Sequence, residues 1–223
     1  MITNKLTLIN AVESYMHRTD LSTGNQMETW LQLAEGRINE RVRAVTMLSD
    51  TSLFDADRVS AGSPAYNLPD DYLEMIAVTA PGYGLNPAAA IEFKQAQQLS
   101  GSPTSYILFY RNATGDAIQL APAPPEGFGF SIAYFTKPTP MAGGGDTAVS
   151  ELLLEQPDLY LYGMLREGYT WARNAEMYAN ADGKFNELVE QINRIDERRR
   201  YGPSISVGSN TNFGAYTGTN GGM

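Results

Sequence analysis

The chain has 223 residues, 16 Lys and Arg against 25 Asp and Glu, a formal charge of −9 and no cysteine. That length accommodates one or two domains with a sizeable core. The missing cysteines exclude disulfides, thiolate metal sites and a cysteine nucleophile, and fit a reducing cytosol or a particle assembled there. The acidic balance makes a poor general binder of nucleic acid, because that affinity comes mainly from neutralising phosphates.

No apolar run reaches 18 residues, so no transmembrane helix is expected. Met1 is followed by a mixed polar stretch rather than a signal peptide. Residues 3–50 read as helical and contain no proline. Leu6, Ile9, Val12 and Met16 give a short amphipathic segment, and Asp20 to Asn25 a turn cluster. Thr23 followed by Gln26 has the spacing of a capping box. From there Met27, Trp30, Leu31, Ala34, Ile38, Val42 and Val45 hold a helical period, with Glu28, Glu35, Arg37, Glu40 and Arg43 assigned to the opposite side.

Residues 51–146 differ. Ten of the twelve prolines fall between Pro64 and Pro140, which rules out long helices. β-type runs occupy Tyr72 to Val78, Tyr106 to Tyr110, Ala117 to Leu120 and Phe128 to Phe135. Asn112 to Asp116 reads as a hairpin connection with Thr114, Gly115 and Asp116 at its turn, and Glu92 to Leu99 as one short helix. Met141 to Asp146 reads as a flexible return linker.

Pro157 to Arg200 returns to helix, with the proline at a first helical position. Leu161, Leu165, Gly168, Tyr169, Ala172 and Ala175 form one stripe. Phe185, Leu188, Val189, Ile192 and Ile195 form a second. The break between them is placed at Asn180 to Gly183, with Asp182 capping the second helix. Arg194, Arg198, Arg199 and Arg200 crowd the last turns. They serve the helix dipole and pair with Asp196 and Glu197, or they contact an acidic partner or nucleic acid in a channel.

Tyr201 to Met223 carries no charged side chain. Its glycines, serines, threonines and asparagines cannot build a core. Ile205, Val207, Phe213 and Tyr216 are spaced hydrophobic anchors within it, and Ser204 to Val207 alternates as a strand does. The fold class expected is α+β: a helical body from 1–50 and 147–200, a small antiparallel β insertion at 51–146, and an extended tail at 201–223.

No catalytic constellation emerges. The single histidine, His17, reads as a helix-end residue, and histidine-pair zinc sites are excluded by count. Asp55 and Asp57 begin a calcium-loop pattern that fails at Val59 and Ser60. Asp70 and Asp71 read as a turn or cap. Gly82–Gly84 and Gly127–Gly129 lack the setting of phosphate loops. Glu187 and Glu190 lie on a polar helix face, and the sequon at Asn112 means little without a secretory route.

The order of parts resembles the head-to-tail adaptor (connector) proteins of short-tailed bacteriophages. The resembling pieces are Ala34 to Val42, Leu68 to Glu74, Ile118 to Pro125, Tyr134 before the linker, and Pro157 to Gly163. The resemblance implies a non-enzymatic structural protein of the virion with no cofactor or metal. It implies a ring, usually of twelve copies, between portal protein and tail nozzle protein, assembled in the host cytoplasm. Its helices would form the ring body around a channel through which DNA passes without sequence-specific binding. Its C-terminal segment would dock on the portal, here through Ile205, Val207, Phe213 and Tyr216. The rival readings are another virion protein (tail nozzle, minor capsid or decoration subunit) and a tail-associated hydrolase, which would have Asp70, Asp71, Glu74 and Asp116 to work with.

Overall fold

The computed structural model describes residues 1–18, 25–60, 63–80, 82, 84–87, 94–95, 106–111 and 117–201. Five helices and seven strands lie within them: α1 Lys5–Met16, α2 Gln26–Arg41, β1 Leu48–Leu53, β2 Ala65–Asn67, β3 Tyr72–Thr79, β4 Gly84–Pro87, β5 Tyr106–Arg111, β6 Ala117–Ala121, β7 Phe130–Thr136, α3 Glu151–Glu155, α4 Pro157–Trp171 and α5 Ala175–Tyr201. The α+β class holds.

Asn4 and Thr7 close a capping box that starts α1, each side chain bonding the other's backbone N–H. The fully buried face of α1 is Lys5, Leu8 and Val12; of the expected stripe Val12 is buried and Ile9 and Met16 pack partly buried on the same cluster, but Leu6 is exposed. In α2 the expected stripe is correct from Met27 to Ile38, but the helix stops at Arg41. Val42 is extended, Val45 opens a 3₁₀ turn, and Leu48 begins a strand. Thr23 lies outside the described residues, and the position before α2 is Asn25, without a side-chain cap.

Leu8, Val12, Trp30, Leu31, Ala34, Ile38, Leu159, Met164, Leu165, Phe185, Val189 and Ile192 form one apolar cluster, so the early and late helices pack on each other. Two glycines set the spacing. A Cβ on Gly163 would stand 3.1 Å from the Ala34 Cβ, and one on Gly168 would stand 2.7 Å from Met16 Sδ and 3.1 Å from the Trp30 ring.

The break between α4 and α5 falls at Ala172–Asn174. Arg173 takes a left-handed backbone with φ 54°, and its N–H and that of Asn174 bond back to Thr170 O and Tyr169 O. Asn174 Oδ1 then accepts from Met177 N, starting α5. Asn180 to Gly183 lies inside α5, where Asp182 caps nothing. Its carboxylate accepts from Asn186 and pairs with Arg166 at 3.0 Å. Ala172, Ala175 and Ile195 are exposed despite their place in the stripes.

Two sheets form the rest: a three-stranded one in the order β1-β7-β3 and a four-stranded one in the order β2-β6-β5-β4. All pairings are antiparallel except β4 with β5, which is parallel and departs from the expected antiparallel insertion. β1, β2 and β4 went unforeseen. The antiparallel β5–β6 pair agrees with the expected hairpin, though its connection, 112–116, lies outside the described residues. So does the expected helix at 92–99, apart from Lys94 and Gln95. Leu53, Tyr66, Tyr72, Ile118, Leu120, Phe130, Ile132 and Tyr134 fill a second cluster between the sheets. β7 is the wall common to both clusters: Phe135 points into the helical one, and Phe130, Ile132 and Tyr134 into the other.

Candidate assembly surface

The segment expected to be a loose linker is clamped. Met141 is fully buried, and its N–H donates to Glu35 Oε1 at 2.6 Å; Ala142 N–H reaches Glu35 Oε2 at 3.4 Å. Gly143 N–H donates to Glu28 Oε1 from a backbone at φ 78°, a conformation that glycine adopts without strain. Lys5 Nζ pairs with Glu28 at 2.6 Å and donates to Gly144 O at 2.7 Å. The N–H groups of Lys5 and Leu6 bond to Ala148 O and Asp146 O. Glu35, assigned to a solvated face, is therefore buried, because the chain lays unpaired N–H groups against it.

Glu28 and Glu35 stand two turns apart on one helix face, yet they ionise oppositely. Burial pushes the Glu28 carboxyl up, but the hydrogen bonds from Lys5 and Gly143 and the Lys5 charge outweigh it and leave it below 4.5. At Glu35 burial dominates and lifts it above 4.5 despite the two N–H donors. Burial also drives Tyr160, bonded to Ser150 at 3.1 Å, up to about 12.

Two recesses open on the surface. One, of about 460 Å³, lies between the helices and the β layer and is lined by Thr46, Asp70, Asp71, Lys137 and Glu151 among others. The other, of about 380 Å³, lies at the α4–α5 elbow and gathers Arg37, Arg166 and Arg173. Arg37 pairs there with Glu167 at 2.8 Å. Exposed apolar side chains flank this elbow: Leu33, Trp171 and Met177. Arg18 lies over the Trp171 ring at 4.9 Å.

The residues singled out from sequence do not converge on one place. Asp71 holds the β layer together, accepting from Tyr134 OH at 3.2 Å and, through its carbonyl, from Lys137 N–H at 2.7 Å. Asp57 accepts from Phe54 N–H within a 3₁₀ turn, and Glu187 pairs with Lys184 on an exposed face. His17 is the exposed end of α1. Arg194 is exposed, while Asp196 is buried and accepts from Val45 N–H, tying the end of α5 to the start of the β layer. Ile205, Val207, Phe213 and Tyr216, and the side chains of Arg198, Arg199 and Arg200, lie outside the described residues. Sequence reasoning missed the arginine elbow. Its one legible sign was Arg173-Asn174, with asparagine as a helix-start residue. Among the described residues no group of three or more His, Asp or Glu is placed to hold a metal, and no helix is long and apolar enough to cross a membrane.

The profile of the SU10 adaptor protein family matches residues 3–208. The chain belongs to this family. It is thus a phage head-to-tail adaptor, a structural protein of the virion. No curated protein matches the chain. The adaptor match takes in every helix and strand described above. It also takes in Ile205 and Val207, and it stops short of Phe213 and Tyr216. An adaptor implies contacts with portal and tail proteins.

Proposed function

We propose that this adaptor serves a short-tailed phage and closes into a ring of about twelve copies between portal and tail nozzle. The family match over residues 3–208 is the observation that carries this reading. The helical body, 1–50 and 147–200, forms the ring wall. The β insertion, 51–146, projects from it. The tail, 201–223, docks on the portal through Ile205, Val207, Phe213 and Tyr216. An uncharged strand with spaced anchors gains backbone hydrogen bonds and apolar burial on a partner's sheet edge. Its ordering entropy is offset by many tails engaging at once from a closed ring. Arg194, Arg198, Arg199 and Arg200 stand just before this tail and contact an acidic neighbour where it leaves the ring.

The net charge of −9 supports a lumen that repels packaged DNA and lets it slide without sequence-specific contacts. Assembly takes place in the bacterial cytoplasm and ends with the ring at the head–tail junction. The test is deletion of residues 202–223 together with a mass measurement with and without portal protein. The truncated chain folds and no longer joins filled heads. Normal joining would overturn the tail assignment, and a protein that stays monomeric on its portal would overturn the ring.

A further inference from the structure

The elbow that ends α4 carries the strongest feature left without a role. Arg173 stands at φ 54°, where an L side chain is strained and glycine is not. Asparagine follows it, so a better residue for that backbone lay one position away. The strained position points an exposed guanidinium outward, and among the described residues nothing pairs with it. Beside it lie Arg37, already bonded to Glu167, and Arg166, whose Nε sits 3.0 Å from Asp182 Oδ1 without being aligned for a hydrogen bond. The recess they share holds about 380 Å³, with Asn174 and Tyr178 on its wall. Exposed apolar side chains stand near it: Trp171 and Met177 on either side of the elbow in the chain, 46% and 39% exposed, and Leu33, one turn before Arg37 on α2, 46% exposed. Arginine, tryptophan and methionine are the side chains enriched where proteins meet.

The opposite end of α4 has the complementary character. Residues 149–158 contain Glu151, Glu155 and Asp158, all exposed, and no lysine or arginine. Val149 and Leu154 are exposed beside them, the latter by 56%. The two ends are separated by the 15-residue helix, a rise of about 22 Å.

We infer that the elbow recess receives the 149–158 segment of a second copy of this chain, its carboxylates meeting Arg173 and Arg37 while Leu154 and Val149 cover the neighbouring apolar side chains. This rests on the ring reading above. Two unlike patches at opposite ends of one helix can join head to tail from copy to copy, and a heterologous contact of this kind is the one that closes a ring. A reciprocal two-fold pairing of antiparallel α4 helices would use the same two patches but stop at a dimer, so a chain carrying both cysteines, which forms a ladder only in the head-to-tail case, distinguishes the two. Duplex DNA fits the recess less well, since Glu167 lines it, Asp182 already pairs with Arg166, and the neighbouring apolar side chains would stay uncovered.

The absence of cysteine gives a clean test. Glu155→Cys and Arg173→Cys are prepared as separate full-length variants, mixed, assembled with portal protein and oxidised. The expected product is a cross-linked pair with one copy of each, at least tenfold above either variant alone. A chain carrying both changes gives a ladder of higher multiples. Should the assembly have the mass of a ring and the mixture cross-link no better than the single variants, this contact is refuted and the ring stands. Should wild type remain monomeric on the portal, ring and contact both fail. Arg173→Gly relieves the backbone, so it keeps its melting temperature while its self-association weakens at least tenfold. Unchanged self-association with weakened binding of duplex DNA would assign the recess to phosphate and overturn the proposal.

Discussion

The two apolar clusters share β7 but are closed by different means. The β cluster is sealed by aromatic rings on one another: Tyr66 meets Phe130 edge-on at 5.0 Å, and Tyr72 stacks on Tyr134 at 5.7 Å. The helical cluster mixes aliphatic side chains with Trp30, Tyr160 and Phe185, and its rim is held by charged groups distant in the chain. These include Lys5 with Glu28, Glu35 with Met141 N–H, Arg37 with Glu167, and Arg166 with Asp182. The β half is therefore fixed mainly by ring packing, with Asp71 on the Tyr134 hydroxyl and Arg43 on Glu74 beside it, and the helical half by packing plus a larger set of ionisable latches.

Truncating each interior is the bluntest way to test that contrast. Phe185 and Phe130 are both buried, and replacing either with alanine should cost about 3–5 kcal/mol in chemical denaturation. Because β7 is a wall of both clusters, each change should lower one common transition. Two separable transitions, each sensitive to only one of the variants, would show that β7 does not couple them.

Glu35 comes next. Alanine there leaves Met141 N–H buried without an acceptor, which costs about 1–3 kcal/mol at neutral pH. Glutamine separates the charge from the acceptor. Glu35 is harder to ionise when folded, so the stability it contributes is complete below 4.5 and is lost as pH rises through its raised value. Glu35→Gln should therefore gain on wild type as pH rises from about 4 to about 7. Glu28 behaves oppositely: its contribution is present above 4.5 and lost as pH falls, so Glu28→Gln should flatten the acid limb of the stability curve. Denaturation midpoints across that range check both. A parallel fall of wild type and both variants would show that the latches contribute nothing.

Which parts of this contrast could be read in advance follows from where the information sits. The interiors of α2, α4 and α5 were legible because apolar residues recur at a helical period and burial obeys it. The latches were not, because their partners are backbone N–H groups that every residue carries; Met141 to Asp146 looks like linker until Glu35 and Glu28 are seen against it. The elbow was misplaced for a related reason. Asn180 and Gly183 are the residues that commonly end helices, but a glycine inside a helix costs only about 1 kcal/mol, which the burial of Ala181, Phe185 and Val189 around it outweighs. The turn went instead to an arginine, which has none of the local preference for positive φ that glycine and asparagine have. β1 escaped because Leu48 to Leu53 has little β-branched character and is ordered by its ladder with β7. The tail anchors were legible as a pattern, but the described residues stop before them.

A finer probe of the shape-fixed spacing is Gly163. A Cβ there would meet the Ala34 Cβ at 3.1 Å and the Phe185 ring at 3.4 Å, so α2 and α4 must part by a few tenths of an ångström. Alanine also removes the conformational entropy that glycine retains when unfolded, which favours folding by about 0.4–1 kcal/mol. The contact is methyl against methyl on two helix backbones, with no flexible chain end to swing aside, so the steric cost should prevail. The expected loss is about 1 kcal/mol in thermal denaturation, within the usual range for overpacking. Gly168→Ala offers the contrast: Met16 Sδ at 2.7 Å is near the end of a flexible side chain that can move, which leaves the Trp30 ring at 3.1 Å as the contact that must give. If Gly163→Ala proved the milder of the two, the α2–α4 contact would be the one with room to yield, and the view that packing alone sets the distance between these helices would have to be given up.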